Sequence, residues 1–83
     1  MYYQFQVNNT IDGYVVEVFI PNDNSLRGYW FPLRNFGDRQ GDAIAFRDWD
    51  CPKLTDLQIK ALINRYDRAV KYERVSASKF VKQ

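Results

Sequence analysis

Histidine is absent from this chain and cysteine occurs once, at Cys51. With one thiol no intrachain disulfide can close, and with no imidazole neither a zinc cluster nor a Ser/His or Cys/His catalytic pair can be assembled. The lone thiol reads as a small apolar filler at a helix end, in keeping with a reducing compartment. Glycine is scarce, and Gly37 with Gly41 lacks the lysine that completes a phosphate-binding loop. No apolar run approaches the ~20 residues of a membrane span, and the opening MYYQFQV has no basic stretch of the kind that begins a secretory leader. Asp48 and Asp50 flank Trp49, but residues two apart on a helix point to different sides and make poor acid/base partners. These absences lead us to expect a soluble, cytoplasmic, non-enzymatic protein with no cofactor, no metal and no small-molecule substrate.

Neither sign of charge dominates. Twelve Lys and Arg stand against ten Asp and Glu, giving a formal net charge of +2, which permits an anionic partner without requiring one. The balance is uneven, because Lys60, Arg65, Arg68, Lys71, Arg74, Lys79 and Lys82 gather in the last third against few acids. A chain of 83 residues makes one domain and has little room for a deep cleft. Its aromatic content of 17% therefore fills a small core, furnishes a contact surface, or does both.

Strand periodicity opens the chain. Tyr3, Phe5 and Val7 alternate with Gln4 and Gln6, Asp12-Gly13 is a hairpin signal, and Tyr14 to Ile20 favours β structure throughout until Pro21 stops it. Leu26 to Leu33 is a third strand, with Pro32 easiest to accommodate at a sheet edge. Three strands joined by short polar turns predict an antiparallel meander. On the second strand Tyr14, Val16, Val18 and Ile20 should face the core, leaving Val15, Glu17 and Phe19 on the other side. Arg27, Tyr29 and Phe31 are expected to join them on the exposed face, with Trp30 behind.

Helical spacing follows. Asp38 is a candidate N-cap, and Ala43, Ile44, Phe46 and Trp49 recur with helical period up to Asp50, with Pro52 closing the segment. Thr55 and Gln58 form a capping box and Leu54 with Ile59 a hydrophobic staple. From there Ile59, Leu62, Ile63, Tyr66, Ala69, Val70 and Glu73 trace one stripe, away from Lys60, Asn64, Arg65, Asp67, Arg68 and Lys71. Trp30, Phe46, Trp49 and Tyr66 are expected to pack between sheet and helices. The fold class is thus α+β, a three-stranded antiparallel sheet covered on one face by two helices, with 1–75 as a single domain and 76–83 as a basic tail that frays or adds a strand.

The segment GYVVEVFIPNDNSLRGYWFPLRNFG followed by DAIAFRDW resembles the DNA-binding domain of the APETALA and ethylene-response-factor class, in the form found in phage integrases and homing endonucleases. VEVF from Val16 to Phe19, PNDN from Pro21 to Asn24, RGYW from Arg27 to Trp30 and AIAFRDW from Ala43 to Trp49 carry the likeness over about half the chain. The resemblance implies that the sheet enters the major groove of double-stranded DNA, with Glu17, Arg27 and Tyr29 as contact candidates, Tyr29 standing where that family often has Trp. It departs at Phe19, where the family has Arg, so a guanidinium suited to guanine gives way to a ring suited to stacking or a thymine methyl.

Two functions follow as expectations. In the first, the protein binds duplex DNA through Glu17, Phe19, Arg27, Tyr29, Phe31 and Arg34, with Arg39, Lys60, Arg68 and Lys71 on phosphates. In the second, a small phage-type protein uses the same aromatic face to bind and inhibit or redirect a host or rival enzyme, since Tyr, Phe, Trp and Arg dominate the energetics of protein interfaces.

Overall fold

The computed structural model describes residues 3–22 and 27–81, with side chains described as far as Val70. Three strands, β1 (Gln4–Thr10), β2 (Gly13–Pro21) and β3 (Gly28–Asn35), form an antiparallel sheet in sequence order. Two helices follow, α1 (Gln40–Ala45) and α2 (Asp56–Val81), so the architecture is α+β, as the periodicities predict. Between them the chain makes a π turn (Phe46–Asp50) and a single 3-10 turn (Cys51–Lys53).

The first hairpin closes at Thr10 and Gly13, with Ile11 and Asp12 as its two-residue tip. Gly13 sits at φ +135, and a Cβ there would lie 2.6 Å from the Gly37 Cα. The close approach has a function: Tyr14 N–H donates to the Gly37 carbonyl and Phe36 N–H to the Tyr14 carbonyl, both at 2.8 Å, which ties the end of β3 to the start of β2. Only a residue without a side chain fits between them.

The second hairpin sets the register of β3. Pro21 pairs with Gly28, so Ile20 lies opposite Tyr29, Phe19 opposite Trp30 and Val18 opposite Phe31. Directly opposed residues share a face. Near its end β3 bulges: Glu17 pairs with Pro32 but Val16 with Arg34, leaving Leu33 as the extra residue, only 3% exposed.

All the helical segments pack on one face of the sheet. Val16, Val18, Leu33, Phe36, Ala43, Cys51 and Ile59 are buried together, with Phe5, Val7, Ile20, Phe31, Phe46 and Leu62 partly buried around them. Each fully buried aliphatic side chain contributes about 1.5–3 kcal/mol. The capping box forms as spaced: Thr55 N–H donates to Gln58 Oε1 at 2.9 Å and Gln58 N–H to Thr55 Oγ1 at 3.2 Å. Leu54 and Ile59 both join the core cluster, as a staple should. Tyr3 is also tethered here, its phenol pushed above the ordinary value by the hydrogen-bonding carboxylate of Asp56 in the first turn of α2.

Three expectations about the helices are corrected. The N-cap of α1 is Arg39 rather than Asp38, and it makes no side-chain capping bond. The segment up to Asp50 is not one α-helix. Its second half widens, and Cys51 N–H donates back five residues to the Phe46 carbonyl. In a π turn the residue above Phe46 is thus Cys51, which is 1% exposed, and not Trp49, which is 72% exposed. Finally, α2 runs on to Val81, so 76–81 continues the helix in place of a frayed end or a fourth strand. Glu73, on the expected stripe, has a side chain outside the described residues.

Candidate functional site

The helices cover one face of the sheet; among the described residues the other, the open face, is exposed at Gln4, Asn8 and Trp30, half-buried at Gln6, Glu17, Phe19 and Pro32, and buried at Val15, 3% exposed. By register it carries Gln4, Gln6 and Asn8 from β1, Val15, Glu17 and Phe19 from β2, and Trp30 and Pro32 from β3. Near its Pro21–Gly28 end the Phe19 and Trp30 rings meet with centroids 5.3 Å apart and planes tilted 53°. Gly28 makes room for this pair, because a Cβ there would come within 2.8 Å of the Phe19 ring and 2.3 Å of the Ile20 carbonyl. Beside the rings, Gln6 Nε2 donates to Glu17 Oε1 at 2.8 Å, fixing one amide and one carboxylate in a cross-strand pair.

The structure regroups the residues singled out from sequence. Glu17 and Phe19 lie on the open face as expected. Tyr29 and Phe31 do not: they belong to the helix-covered side, where Phe31 packs against the core cluster and Tyr29, 63% exposed, meets it edge-on at 6.4 Å. Arg27 is exposed just ahead of β3, and its carbonyl accepts from Asn22 N–H at 2.8 Å. Trp30, assigned to the core, occupies the open face at 37% exposure. The physical reason is the 21–28 pairing, which matches odd positions of β2 with even positions of β3. Tyr29-Trp30-Phe31 has no polar residue to mark an outward side, so nothing local distinguishes the two registers. Of the rings expected inside, Phe46 is partly buried against the core.

The cations lie elsewhere. After the bulge, the Arg34 guanidinium sits 4.7 Å from the Phe36 ring centroid and 5.9 Å from that of Phe46. Arg34 and Arg65 line a shallow groove between β3 and α2, beside an apolar one of about 290 Å³ lined by Phe31, Pro32, Ile63 and Val70. Arg39 donates Nε to the Phe36 carbonyl at 3.3 Å and pairs with Asp42 at 3.4 Å, an exposed ion pair of small energetic weight. Lys60 and Arg68 are exposed on α2, which packs on the covered side of the sheet; the Lys71 side chain is outside the described residues. Arg47 holds the Asp48 carboxylate below its ordinary pKa through a 2.7 Å contact. Among the described residues the open face therefore carries no Lys or Arg, and the nine candidates with described side chains do not converge on one surface.

Among the described residues, no group of three or more His, Cys, Asp and Glu is placed to hold a metal ion, and no helix is long and apolar enough to cross a membrane. Cys51 is buried, which pushes its thiol up to about 12, with a further push from the Asp50 charge. Compared with known proteins, the chain matches no family model, no curated protein and no solved structure.

Proposed function

We propose that this chain is a small non-enzymatic binding module that engages double-stranded DNA through the open face of its sheet. What supports the reading is the set of side chains that the register collects there: Gln4 and Gln6, Glu17, Phe19 and Trp30. Each type has a base-edge counterpart in the major groove. A glutamine amide pairs with adenine, a glutamate accepts from the cytosine amino group, and an aromatic ring packs on a thymine methyl. The position that the resemblance fills with Tyr29 is taken by Trp30, the residue type that family often has there.

The same face limits the electrostatic contribution. With Lys60 and Arg68 on the far side of the molecule, a duplex on the open face meets few cations. At roughly two phosphate contacts, affinity falls only about tenfold between 50 and 200 mM salt, whereas ~6 contacts would cost about three decades. Fluorescence anisotropy with a mixed-sequence duplex over that salt range is the test. A shallow salt slope with loss of binding in Trp30→Ala supports the reading. A steep slope abolished by Arg65→Ala and Arg68→Ala would move binding to α2, and no binding at low salt would end it.

A second reading is favoured by one observation, the lack of Lys and Arg among the described residues of a face that carries a Phe–Trp pair. Such a neutral aromatic patch suits a protein surface, and a host or rival enzyme is the partner proposed. Recovery of one protein, free of nucleic acid, with the native chain but not Trp30→Ala would select it.

A further inference from the structure

The two edges of the sheet differ in how they are closed. On β3, Pro32 lies opposite Glu17, and the bulge at Leu33 breaks the regular ladder beside it. Proline and a bulge are the usual devices that stop an edge from pairing. The edge of β1 has neither: QFQVNNT contains no proline, no glycine and no charge, and its pairing with β2 is unbroken from Gln4 to Thr10.

The hydrogen-bond phase shows what that edge presents. Tyr14 directs both its N–H and its C=O toward the β3 side, to Gly37 and Phe36. In an antiparallel sheet the direction alternates by residue, so Val15, Glu17 and Phe19 turn toward β1 and meet Asn8, Gln6 and Gln4. Phe5, Val7 and Asn9 then point their N–H and C=O groups away from the sheet. Among the described residues no other backbone group reaches them.

We infer that β1 is a self-pairing edge and that its occupant is β1 of a second copy of this chain, antiparallel about a twofold axis at Val7. That axis sets Val7 opposite Val7 and Phe5 opposite Asn9 of the other copy, so all the outward groups are exchanged reciprocally. Gln6 then lies opposite Asn8 on the open face, and the two sheets become one six-stranded sheet with its helices on one side. Three observations favour a second copy over a foreign strand. The strand is uncharged, so self-pairing sets no like charges against each other. Val7, only partly buried, gains the Val7 of the other copy opposite it, and Phe5 gains that Val7 diagonally. Trp49, on the helical turn that packs against β1, is 72% exposed and adds apolar surface at the same side. The pairing is independent of what the open face binds.

Sedimentation velocity of the full chain over a concentration series tests it. A monomer–dimer equilibrium is expected. Asn8→Lys and Asn8→Glu each place like charges diagonally across the axis and should weaken self-association about fivefold, and mixing the two in equal amounts should restore it. Val7→Pro, which removes the central donors, should give a monomer that keeps its helical circular dichroism. A native chain that stays monomeric at every concentration, or a dimer indifferent to both Asn8 substitutions, overturns the proposal. If Val7→Pro unfolds, the Asn8 pair decides alone.

Discussion

Phe19 and Trp30 face each other across β2 and β3 with ring centroids 5.3 Å apart, on the side of the sheet opposite the helical core residues. Aromatic pairs of this kind contribute about 0.5–1.5 kcal/mol beyond their buried area. A double-mutant cycle with Phe19→Ala and Trp30→Ala, followed by urea unfolding, should return a coupling energy of that size. Partner binding should fall in both single variants and be little changed in Tyr29→Ala, which lies on the other side. Equal losses at Tyr29 and Trp30 would contradict the face assignment.

Gly13 and Gly41 should respond oppositely to alanine. At Gly13 the new Cβ meets the Gly37 backbone at 2.6 Å, and the φ of +135 disfavours any side chain. Gly13→Ala is expected to cost more than 1 kcal/mol and to loosen the β2–β3 corner. At Gly41, in the first turn of α1, nothing lies within 4 Å of an added Cβ. Gly41→Ala should stabilise by roughly 0.5–1 kcal/mol, read as a higher thermal midpoint.

The capping box offers a cleaner local measurement. Thr55→Ala removes the acceptor for Gln58 N–H without touching the core, and should cost about 0.5–2 kcal/mol. Thr55→Ser should retain most of it. Chemical denaturation of the two variants side by side distinguishes loss of the cap from loss of the threonine methyl.

Cys51 links burial to alkaline stability. Burial raises its thiol from an ordinary 9.0 to about 12, so the folded state holds the proton more tightly than the unfolded chain. The contribution is complete below pH 9.0 and is lost as pH rises toward about 12. The urea midpoint should fall across that window, and fall less steeply in Cys51→Ala once its lower neutral-pH stability is subtracted. A thiol reagent should label native protein slowly and denatured protein at once.

Much of this molecule is legible in its sequence because the signals are local. Alternation in Tyr3–Val7 and Tyr14–Ile20, the turn residues between them, and the spacing of Thr55 and Gln58 each report on neighbouring residues, and local geometry satisfies them as written. The apolar stripe Ile59, Leu62, Ile63 and Tyr66 likewise needs only helical period to be seen, while Ala69 falls on its exposed margin.

The candidate site was decided at longer range. Its composition depends on whether Tyr29 or Trp30 faces Phe19, and a run of three aromatics offers no polarity contrast by which a local pattern could choose. Pairing of Pro21 with Gly28 makes that choice, and the bulge at Leu33 then carries Leu33 into the core. Trp49 turns outward for a related reason: helical period assumes i→i+4 bonding, and the turn from Phe46 to Cys51 closes with an i→i+5 bond that shifts the phase. The sequence by itself determined the order of three strands and two helices, since those preferences arise from neighbours along the chain. Tertiary structure alone decided which aromatic rings look outward, because register and helix phase are set by what the segments meet when they pack.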